Sequence, residues 1–279
     1  MSDKSEVARE HYEGSSTEFD LVGQVRRLLQ AFGDAPITPE QLAGFDQFHS
    51  GGLKTTADFI ELCELKAGMQ VLDAGSGLGG PSRYVAQKKG CIVTGVDLTA
   101  SFVAVAELLA ERTGLTEKVR YEVGNLLSLP FEDERFDVAY TQHVLMNIHD
   151  RAKVYSEIYR VLKPSGKFGF FDVLAADDKA VPLYPVPWAE QVQNSVLLTE
   201  DETRAAMNAA GLKLDVWKDV TQEIIDWFTN VQLPAVQGGN QGPSLKLVMG
   251  ERFELMAENF AKNLRQHKVR LVMATAVRD

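Results

Sequence analysis

One stretch of the chain constrains its fold more than any other: VLDAGSGLGGPSRYVA, residues 71–86. An apolar run leads into four glycines within six positions, and a helical pattern with a proline near its start follows. Glycine allows the close backbone approach and the unusual dihedral angles that a tight ligand-binding turn needs. Gly75, Gly77 and Gly80 satisfy the G-x-G-x-x-G pattern of dinucleotide-binding sheets. The spacing predicts a strand, a loop that cradles a ligand, and a helix.

Strands and helices alternate from residue 69 to the end of the chain. The alternation predicts an α/β fold, with a doubly wound, mostly parallel sheet of seven strands. In such a sheet, ligands bind outside the carboxyl ends of the strands, where the strand order reverses. A helix over 151–166, ended by Pro164 and Gly166, is predicted before the fifth strand. The predicted strands are 69–75, 91–97, 119–125, 136–142, 167–174, 212–220 and 268–277.

Three segments interrupt or precede this alternation, and together they predict a helical lid. Residues 1–65 carry helical patterns over 3–33 and 52–65, and residues 66–279 form the predicted core. Within that core, 175–198 is rich in proline and aromatic residues, and 221–266 is a mostly helical insertion. Both insertions follow strands whose carboxyl ends should face the ligand crevice.

Composition narrows the classes of partner. The 279 residues carry a formal net charge of -10, and Lys and Arg form no basic stripe, which argues against a nucleic-acid partner. No apolar run reaches the roughly 18 residues that a membrane helix needs. Two cysteines, Cys63 and Cys91, give neither a disulfide framework nor a metal-ligand spacing. The N-terminal MSDKSEVAREHYEG has no apolar signal segment, so we expect a cytoplasmic protein, a monomer or a homodimer, that acts on small molecules.

Two further motifs indicate an adenosine-containing ligand. The sequence GVDLT places Asp97 at the tip of the second strand, where a carboxylate can accept hydrogen bonds from both ribose hydroxyls. Asn125, in GNLLSLP, follows the third strand at the same edge of the sheet. An aspartate at the second strand also suits NAD, so these residues indicate adenosine without selecting one ligand.

The glycine loop also fits a second pattern, D-x-G-x-G-x-G, through Asp73, Gly75, Gly77 and Gly79. That pattern is similar to the donor loop of class I methyltransferases, which use S-adenosylmethionine. The segments DQFHSGG, TQHVLMNIHD, VLKPSGKFGFFDVL and YPVPWAE resemble the sarcosine and dimethylglycine N-methyltransferases and their relatives. The resemblance runs from about Asp46 to about Leu212 and implies a Rossmann-like methyltransferase fold.

The resemblance implies a donor site along the carboxyl edge of the sheet, where Asn125 would meet the adenine amino group. The residues expected to bind S-adenosylmethionine are Asp73, Gly75, Ser76, Gly77, Gly79, Asp97, Leu98, Asn125, Leu126, Gln142 and His143. No cluster of His, Cys, Asp or Glu has the spacing of a metal site, so we expect methyl transfer without a metal ion.

The candidate catalytic residues are two histidines. His143 directly follows the fourth strand and should border the reacting centre, and His49, in DQFHSGG, should lie over the donor. An amine acceptor reacts through its lone pair and must arrive deprotonated, which a nearby base would assist. The candidate acceptor-binding residues are Tyr12, Phe48, Asn147 and Trp188.

The acceptor implied by the resemblance is a small amine such as sarcosine or dimethylglycine. A lid rich in aliphatic residues and tryptophan favours an alternative, a C- or O-methyltransferase that acts on a secondary metabolite. The G-x-G-x-x-G pattern keeps a third interpretation open, an NAD-dependent oxidoreductase, and a protein that binds the donor without turnover is a fourth.

Overall fold

The computed structural model describes residues 20–232 and 245–279. Tyr12, a predicted acceptor-binding residue, lies outside the described residues, as does most of the predicted helix over 3–33.

Three helices precede the sheet, and strands and helices then alternate. The helices before the sheet are α1 (Leu21–Gln30), α2 (Pro39–Asp46) and α3 (Gly52–Leu62). The first half of the alternation is β1 (Gln70–Ala74), α4 (Gly80–Lys89), β2 (Ile92–Asp97), α5 (Ala100–Arg112), β3 (Val119–Val123) and β4 (Phe136–Gln142). The next elements are α6 (Arg151–Val161), β5 (Leu162–Ala175), α7 (Glu200–Ala209) and β6 (Leu212–Asp219). The insertion and last strand comprise α8 (Thr221–Trp227), a π turn (Phe228–Gln232), α9 (Lys246–Met249), α10 (Phe253–Arg265) and β7 (Val269–Arg278).

The seven strands form one sheet in the order β3-β2-β1-β4-β5-β7-β6. The first five strands of that order pair in parallel, and β7 lies antiparallel to both β5 and β6. The predicted doubly wound, mostly parallel sheet is therefore confirmed. The strand order changes direction between β1 and β4, because β2 and β3 lie on one side of β1 whereas β4 and β5 lie on the other. The ligand crevice is expected at this switch point.

The prediction was wrong at the junction of α6 and β5. The predicted helix 151–166 ends at Val161, and the strand begins at Leu162 instead of residue 167. Pro164 disfavours the helical region for the residue before it, so Lys163 is extended. Residues 162–166 therefore belong to β5. The pairing of β4 with β5 shifts register between Phe136 and Val138.

The helices before the sheet are packed onto the core by their own apolar cluster. Leu21, Val25 and Leu29 of α1 line its buried face at helical spacing and meet Leu109 of α5. Val248 of α9 belongs to the same cluster. The N-terminal helices and the C-terminal insertion therefore share one apolar contact region. The division into a core and a lid stays a prediction.

A buried ion pair joins α2 to the core. The Arg83 guanidinium of α4 donates to Asp46 Oδ2 at 2.8 Å, and neither side chain is exposed to solvent. The same guanidinium donates to the carbonyl oxygen of Leu78 at 2.8 Å. Burial raises the pKa of Asp46, while the charge of Arg83 opposes that shift. A buried charge needs its partner, so α2 is fixed in position against the glycine loop.

None of the described helices has both the length and the hydropathy that crossing a lipid bilayer requires.

The buried pair predicts a large loss of stability when one partner is removed. We expect Asp46→Asn to lower the free energy of unfolding by about 3–5 kcal/mol, because Arg83 keeps a buried charge without a counterion. The matched control is Asp58→Asn, whose partner Lys54 is mostly exposed, and we expect it to cost about 1 kcal/mol or less. Urea unfolding of the two variants measures both. Equal losses would contradict a structural role for the buried pair.

Candidate functional site

A cavity of about 330 Å³ lies over the carboxyl ends of β1, β2 and β4, at the point where the strand order reverses. That size falls within the range of small-molecule sites. All predicted site residues among those described border it, except Gly79. The predicted residues on its wall are Phe48, His49, Asp73, Gly75, Ser76, Gly77, Asp97, Leu98, Asn125, Leu126, Gln142, His143, Asn147 and Trp188.

The glycine loop between β1 and α4 forms the floor of this cavity. Gly75 and Gly77 have φ angles of +88° and +51°, which favour glycine. The backbone N–H groups of Gly75 and Ser76 donate to the carbonyl oxygen of Val96 at 2.8 and 3.0 Å. A Cβ atom at Gly77 would meet only Phe48, at 3.9 Å. The space above Gly77 is therefore open toward the cavity.

Asp97 connects the glycine loop to the tip of β2. Its Oδ2 accepts from the Gly77 N–H at 2.8 Å, and its Oδ1 accepts from the Thr99 N–H at 2.9 Å. Burial raises the pKa of this carboxyl group, and the backbone hydrogen bonds oppose that shift. Each oxygen keeps a second lone pair, so the carboxylate can accept further hydrogen bonds from a ligand.

Asp73, at the end of β1, is hydrogen-bonded to the helix that follows the glycine loop. Its Oδ2 accepts from the Ser82 hydroxyl of α4 at 2.5 Å, and the side chain is buried. Burial raises the pKa of Asp73 to about 6, although the Ser82 hydrogen bond opposes the shift. The first acidic residue of the motif thus holds the start of α4 against β1, in addition to bordering the cavity.

Gly79 is constrained by packing and by backbone conformation, and donor binding by Gly79 stays a prediction. It does not border the cavity, and a Cβ atom there would lie 2.3 Å from the Tyr121 hydroxyl oxygen. Its φ of +74° also begins α4 in the left-handed region. Glycine is therefore required at this position by packing against β3 and by backbone conformation.

Asn125 forms a turn at the end of β3. Its Oδ1 accepts from the Leu127 N–H at 2.9 Å, and its carbonyl oxygen accepts from the Ser128 N–H at 2.9 Å. This turn brings Leu126 and Leu127 to the cavity beside Leu98. Adenine recognition by Asn125 stays a prediction.

His49 is part of a buried polar network that sequence reasoning did not identify. Its Nδ1 faces the Ser50 carbonyl oxygen at 3.0 Å, and a carbonyl only accepts, so Nδ1 carries the proton. The other ring nitrogen, Nε2, lies 2.8 Å from the Thr56 hydroxyl oxygen and 3.2 Å from Gln47 Oε1, and the same hydroxyl donates to Gln47 Oε1 at 2.7 Å. Burial lowers the pKa of His49 to about 4, so the ring is neutral at pH 7. With both nitrogens engaged, His49 is a less suitable base than His143.

His143 presents an unpaired nitrogen at the end of β4. Its backbone N–H donates to the Phe171 carbonyl oxygen at 2.8 Å, and its ring lies 4.7 Å from the Phe171 ring. Its Nε2 is buried and makes no hydrogen bond to any described residue. Burial, together with the nearby His49, lowers the pKa of His143 well below 6.5. The imidazole is therefore neutral at pH 7 and has an available nitrogen.

The wall opposite the strand ends is largely aromatic. Trp188 is buried, donates from Nε1 to the Ser195 hydroxyl at 2.8 Å, and packs edge-on to Phe260 at 4.9 Å. Phe228 contacts the same Phe260 ring at 5.4 Å. Sequence reasoning placed this wall in the insertion 221–266 without naming its members. The additional lining residues from that insertion are Trp227, Phe228, Leu245, Phe253, Ala257 and Phe260.

Within the described part of the chain, no group of three or more His, Cys, Asp or Glu residues could hold a metal ion.

A family model for a methyltransferase domain matches residues 72–170. The match starts on β1, includes the whole glycine loop and Asp97, and ends on β5. Residues 72–170 of this chain carry a methyltransferase domain. The family match favours the D-x-G-x-G-x-G interpretation of the loop over the dinucleotide interpretation, and it agrees with the resemblance to class I methyltransferases found in the sequence.

Curated relatives of this methyltransferase act on nitrogen or on carbon, by their names. A phosphoethanolamine N-methyltransferase of Arabidopsis thaliana is 27% identical over 234 residues, which cover 76% of this chain and 46% of the relative. A sterol 24-C-methyltransferase of Gibberella zeae is 40% identical over 113 residues, which cover 40% of this chain and 30% of the relative. The methyltransferase thus spans less than half the length of these two relatives.

Solved structures share its fold. A phosphoethanolamine N-methyltransferase of Haemonchus contortus has a TM-score of 0.75 at 19% identity, covering 97% of this chain and 60% of that one. A Galdieria sulphuraria protein, provisionally assigned as a sarcosine dimethylglycine methyltransferase, has a TM-score of 0.67 at 17% identity, covering 81% and 84%. At these identities the likeness concerns the fold.

The described residues fit the methyl donor of this family. Asp97 has lone pairs that face the cavity edge, and the space above Gly77 is open. Three buried polar atoms on the cavity wall make no hydrogen bond to any described residue: Ser76 Oγ, Gln142 Nε2 and His143 Nε2. Buried polar atoms ordinarily have partners, so a polar ligand would satisfy them.

The open space above Gly77 predicts a selective effect on donor binding. We expect Gly77→Ala to weaken binding of S-adenosylhomocysteine by about tenfold or more, because the new methyl group projects into the cavity. Gly114→Ala is the matched control, since Gly114 has a φ of +66° and no atom within 4 Å of the new Cβ. Calorimetric titration measures the affinities, and equal weakening in both variants would mean that backbone strain alone is responsible.

The neutral state of His49 predicts a pH-dependent stability. Its pKa is about 4 in the folded chain and near 6.5 when unfolded, so the unfolded state binds the proton first as the pH falls. The contribution of neutral His49 to the free energy of unfolding has its full value above about pH 6.5 and is lost as the pH falls toward about 4. We expect wild type to lose about 3 kcal/mol more than His49→Gln between about pH 7 and about pH 4.

Urea unfolding of wild type and His49→Gln across this pH range gives the difference directly. The buried carboxyl groups of Asp73 and Asp172, both with pKa values raised to about 6, are common to the two proteins and cancel in the comparison. A pH-independent difference would show that His49 is protonated in the folded state as readily as in the unfolded state.

Proposed function

We propose that this protein transfers a methyl group from S-adenosylmethionine to a small-molecule acceptor. One observation supports this most strongly: the donor loop and the neutral His143 nitrogen border the same cavity, which continues into an aromatic chamber. A donor at the strand ends and an acceptor in the aromatic chamber would meet beside His143. Holding two reactants in this way lowers the barrier by positioning alone.

When bound, S-adenosylmethionine supplies a methyl group that is already activated on a sulfonium. The residues of this chain then have three tasks: binding, orientation and exclusion of water. Asp97 and the glycine loop would hold the nucleoside, and Ser76 and Gln142 would hold the polar remainder of the donor. The aromatic wall would exclude water and place the acceptor.

Proton removal from the acceptor falls to His143 in this proposal. Burial keeps the ring neutral, so one of its two nitrogens has a free lone pair, and Nε2 is buried without a hydrogen-bond partner among the described residues. In the tautomer with the proton on Nδ1, the lone pair is on Nε2. That nitrogen can accept a proton, or a hydrogen bond, from the attacking group. His49 would line the site next to His143 without removing the proton itself. The two ring centroids lie 6.1 Å apart, and both nitrogens of His49 have polar partners.

The acceptor predicted from the resemblance is a small amine such as sarcosine or dimethylglycine. The names of the Arabidopsis and Haemonchus proteins, both N-methyltransferases by name, support nitrogen as the methylated atom. Methylation at carbon or oxygen is the second candidate. The aromatic chamber and the name of the sterol 24-C-methyltransferase support it.

A screen with methyl-labelled S-adenosylmethionine tests the proposed function. The acceptor panel contains amines, phenols and isoprenoids, and the position of the label in the product identifies the methylated atom. Titration of S-adenosylhomocysteine and of NAD accompanies the screen. Binding of NAD without binding of S-adenosylhomocysteine would overturn the proposal.

The backbone at His143 allows a clean test of its side chain. Its φ of +54° suits Asn better than Ala, so His143→Asn removes the imidazole with little backbone strain. We expect His143→Asn to lower the single-turnover rate by about 10²–10⁴-fold, with unchanged affinity for S-adenosylhomocysteine. His267→Asn is the control, because His267 is exposed and has the same φ of +54°. A wild-type rate in His143→Asn would assign His143 a structural role only.

A further inference from the structure

The part of the cavity away from the strand ends is an apolar chamber. Its walls come from four different regions of the chain, and all but one of its large side chains are buried. The chamber is defined here by Met146, Trp188, Trp227, Phe228, Phe253 and Phe260. Asn147 and His149 border its edge.

No lysine or arginine is present among the described residues that border the whole cavity. The charged residues that do border it are all aspartates: Asp46, Asp73, Asp97 and Asp150. Asp46 is paired with Arg83, and Asp150 accepts from the Lys153 N–H at the start of α6. Among the described lining residues, an anionic acceptor would therefore meet carboxylates and no basic side chain.

The arginines nearest in the chain to the lining residues, Arg83, Arg151 and Arg252, are already engaged. Arg83 has no solvent exposure, and its guanidinium donates to Asp46 and to the Leu78 carbonyl oxygen. Arg151 is buried and donates to the carbonyl oxygens of Ile148 and Val196 at 3.0 and 2.8 Å. Neither guanidinium borders the cavity. Arg252, beside Phe253, is exposed, does not border the cavity and pairs with Glu190 Oε2 at 2.6 Å.

The sequence outside the described residues adds little positive charge. Residues 233–244, LPAVQGGNQGPS, contain no charged residue. Residues 1–19 contain Lys4 and Arg9, which are outnumbered by acidic residues in the same segment.

We propose that the acceptor is an uncharged, predominantly apolar molecule that carries no carboxylate or phosphate. This inference rests on the proposed function and narrows it. A buried carboxylate or phosphate needs basic side chains or other hydrogen-bond donors around it, and the chamber offers aromatic rings, against which the burial of hydrocarbon is favourable. The nucleophile is then a neutral amine, a hydroxyl group or a carbon on a hydrocarbon skeleton. Sarcosine, dimethylglycine, phosphoethanolamine and diphosphate esters lie outside this class.

The state of the two histidines agrees with this class. His49 and His143 are both held neutral by the surroundings that the acceptor would enter, which disfavour charge of either sign. An amine acceptor would accordingly enter as the free base.

A matched pair of fluorescent probes tests the charge preference without knowledge of the acceptor. N-phenyl-1-naphthylamine is neutral, and 8-anilino-1-naphthalenesulfonate is the same skeleton with one sulfonate. We expect the neutral probe to bind at least about tenfold more tightly, with and without S-adenosylhomocysteine. Equal affinities, tighter binding of the sulfonate, or no binding of the neutral probe would overturn the inference.

A substitution that adds one positive charge tests whether the preference for the neutral probe arises in the chamber. Leu245 borders the cavity at its edge, and we expect Leu245→Arg to tighten binding of the sulfonate probe by about tenfold. Leu255→Arg is the matched control, since Leu255 is 46% exposed and does not border the cavity. Melting temperatures confirm that both variants are folded. If both variants change the two probe affinities in the same way, the probes are not reporting on the chamber and the inference fails.

The same titrations separate this inference from the proposed function. Failure of S-adenosylhomocysteine to bind, with the neutral probe still preferred, would remove the methyl-transfer proposal and leave the apolar chamber established. Binding of S-adenosylhomocysteine with a preference for the sulfonate probe would do the reverse.

Discussion

The hydrogen bond from the Gly77 N–H to Asp97 Oδ2 is the contact on which the donor half of the site depends. It holds a loop that follows β1 against the end of β2, so that two neighbouring strand ends act as one surface. Glycine dihedral angles permit the loop to reach Asp97, and Asp73 holds the helix that follows. In the proposed donor site the carboxylate would bind the ligand with the same two oxygens that hold the loop, so a substitution at Asp97 would alter both tasks together.

The acceptor half is built on a different physical basis. Aromatic rings from the proline-rich segment and from α8 to α10 meet around Phe260, and their packing requires apolar burial without a particular polar contact. Such a chamber selects by volume and charge, so relatives that share the donor loop can differ in their acceptors. The names of the curated relatives, which include nitrogen and carbon methylation, agree with a donor half that is retained and an acceptor half that varies.

The sequence predicted the sheet well because alternation of apolar strands and amphipathic helices is a local signal. The end of α6 was wrong because Pro164 and Gly166 were interpreted as a helix stop, although they lie inside β5. The packing of Gly79 against the Tyr121 hydroxyl could not be predicted, because Tyr121 lies 42 positions later in the chain. The aromatic wall of α10 was not named, since a residue facing a cavity and one facing the core have the same helical spacing.

The buried pair of Asp46 and Arg83 sets the order in which parts of the chain can pack during synthesis. The two residues are 37 positions apart, so Asp46 leaves the ribosome first and its counterion follows about 2–7 s later at ordinary rates of synthesis. Until then α2 has no partner for a carboxylate that must be desolvated to pack. The N-terminal helices therefore complete their packing only after the glycine loop and α4 have been synthesised, although they are made before both.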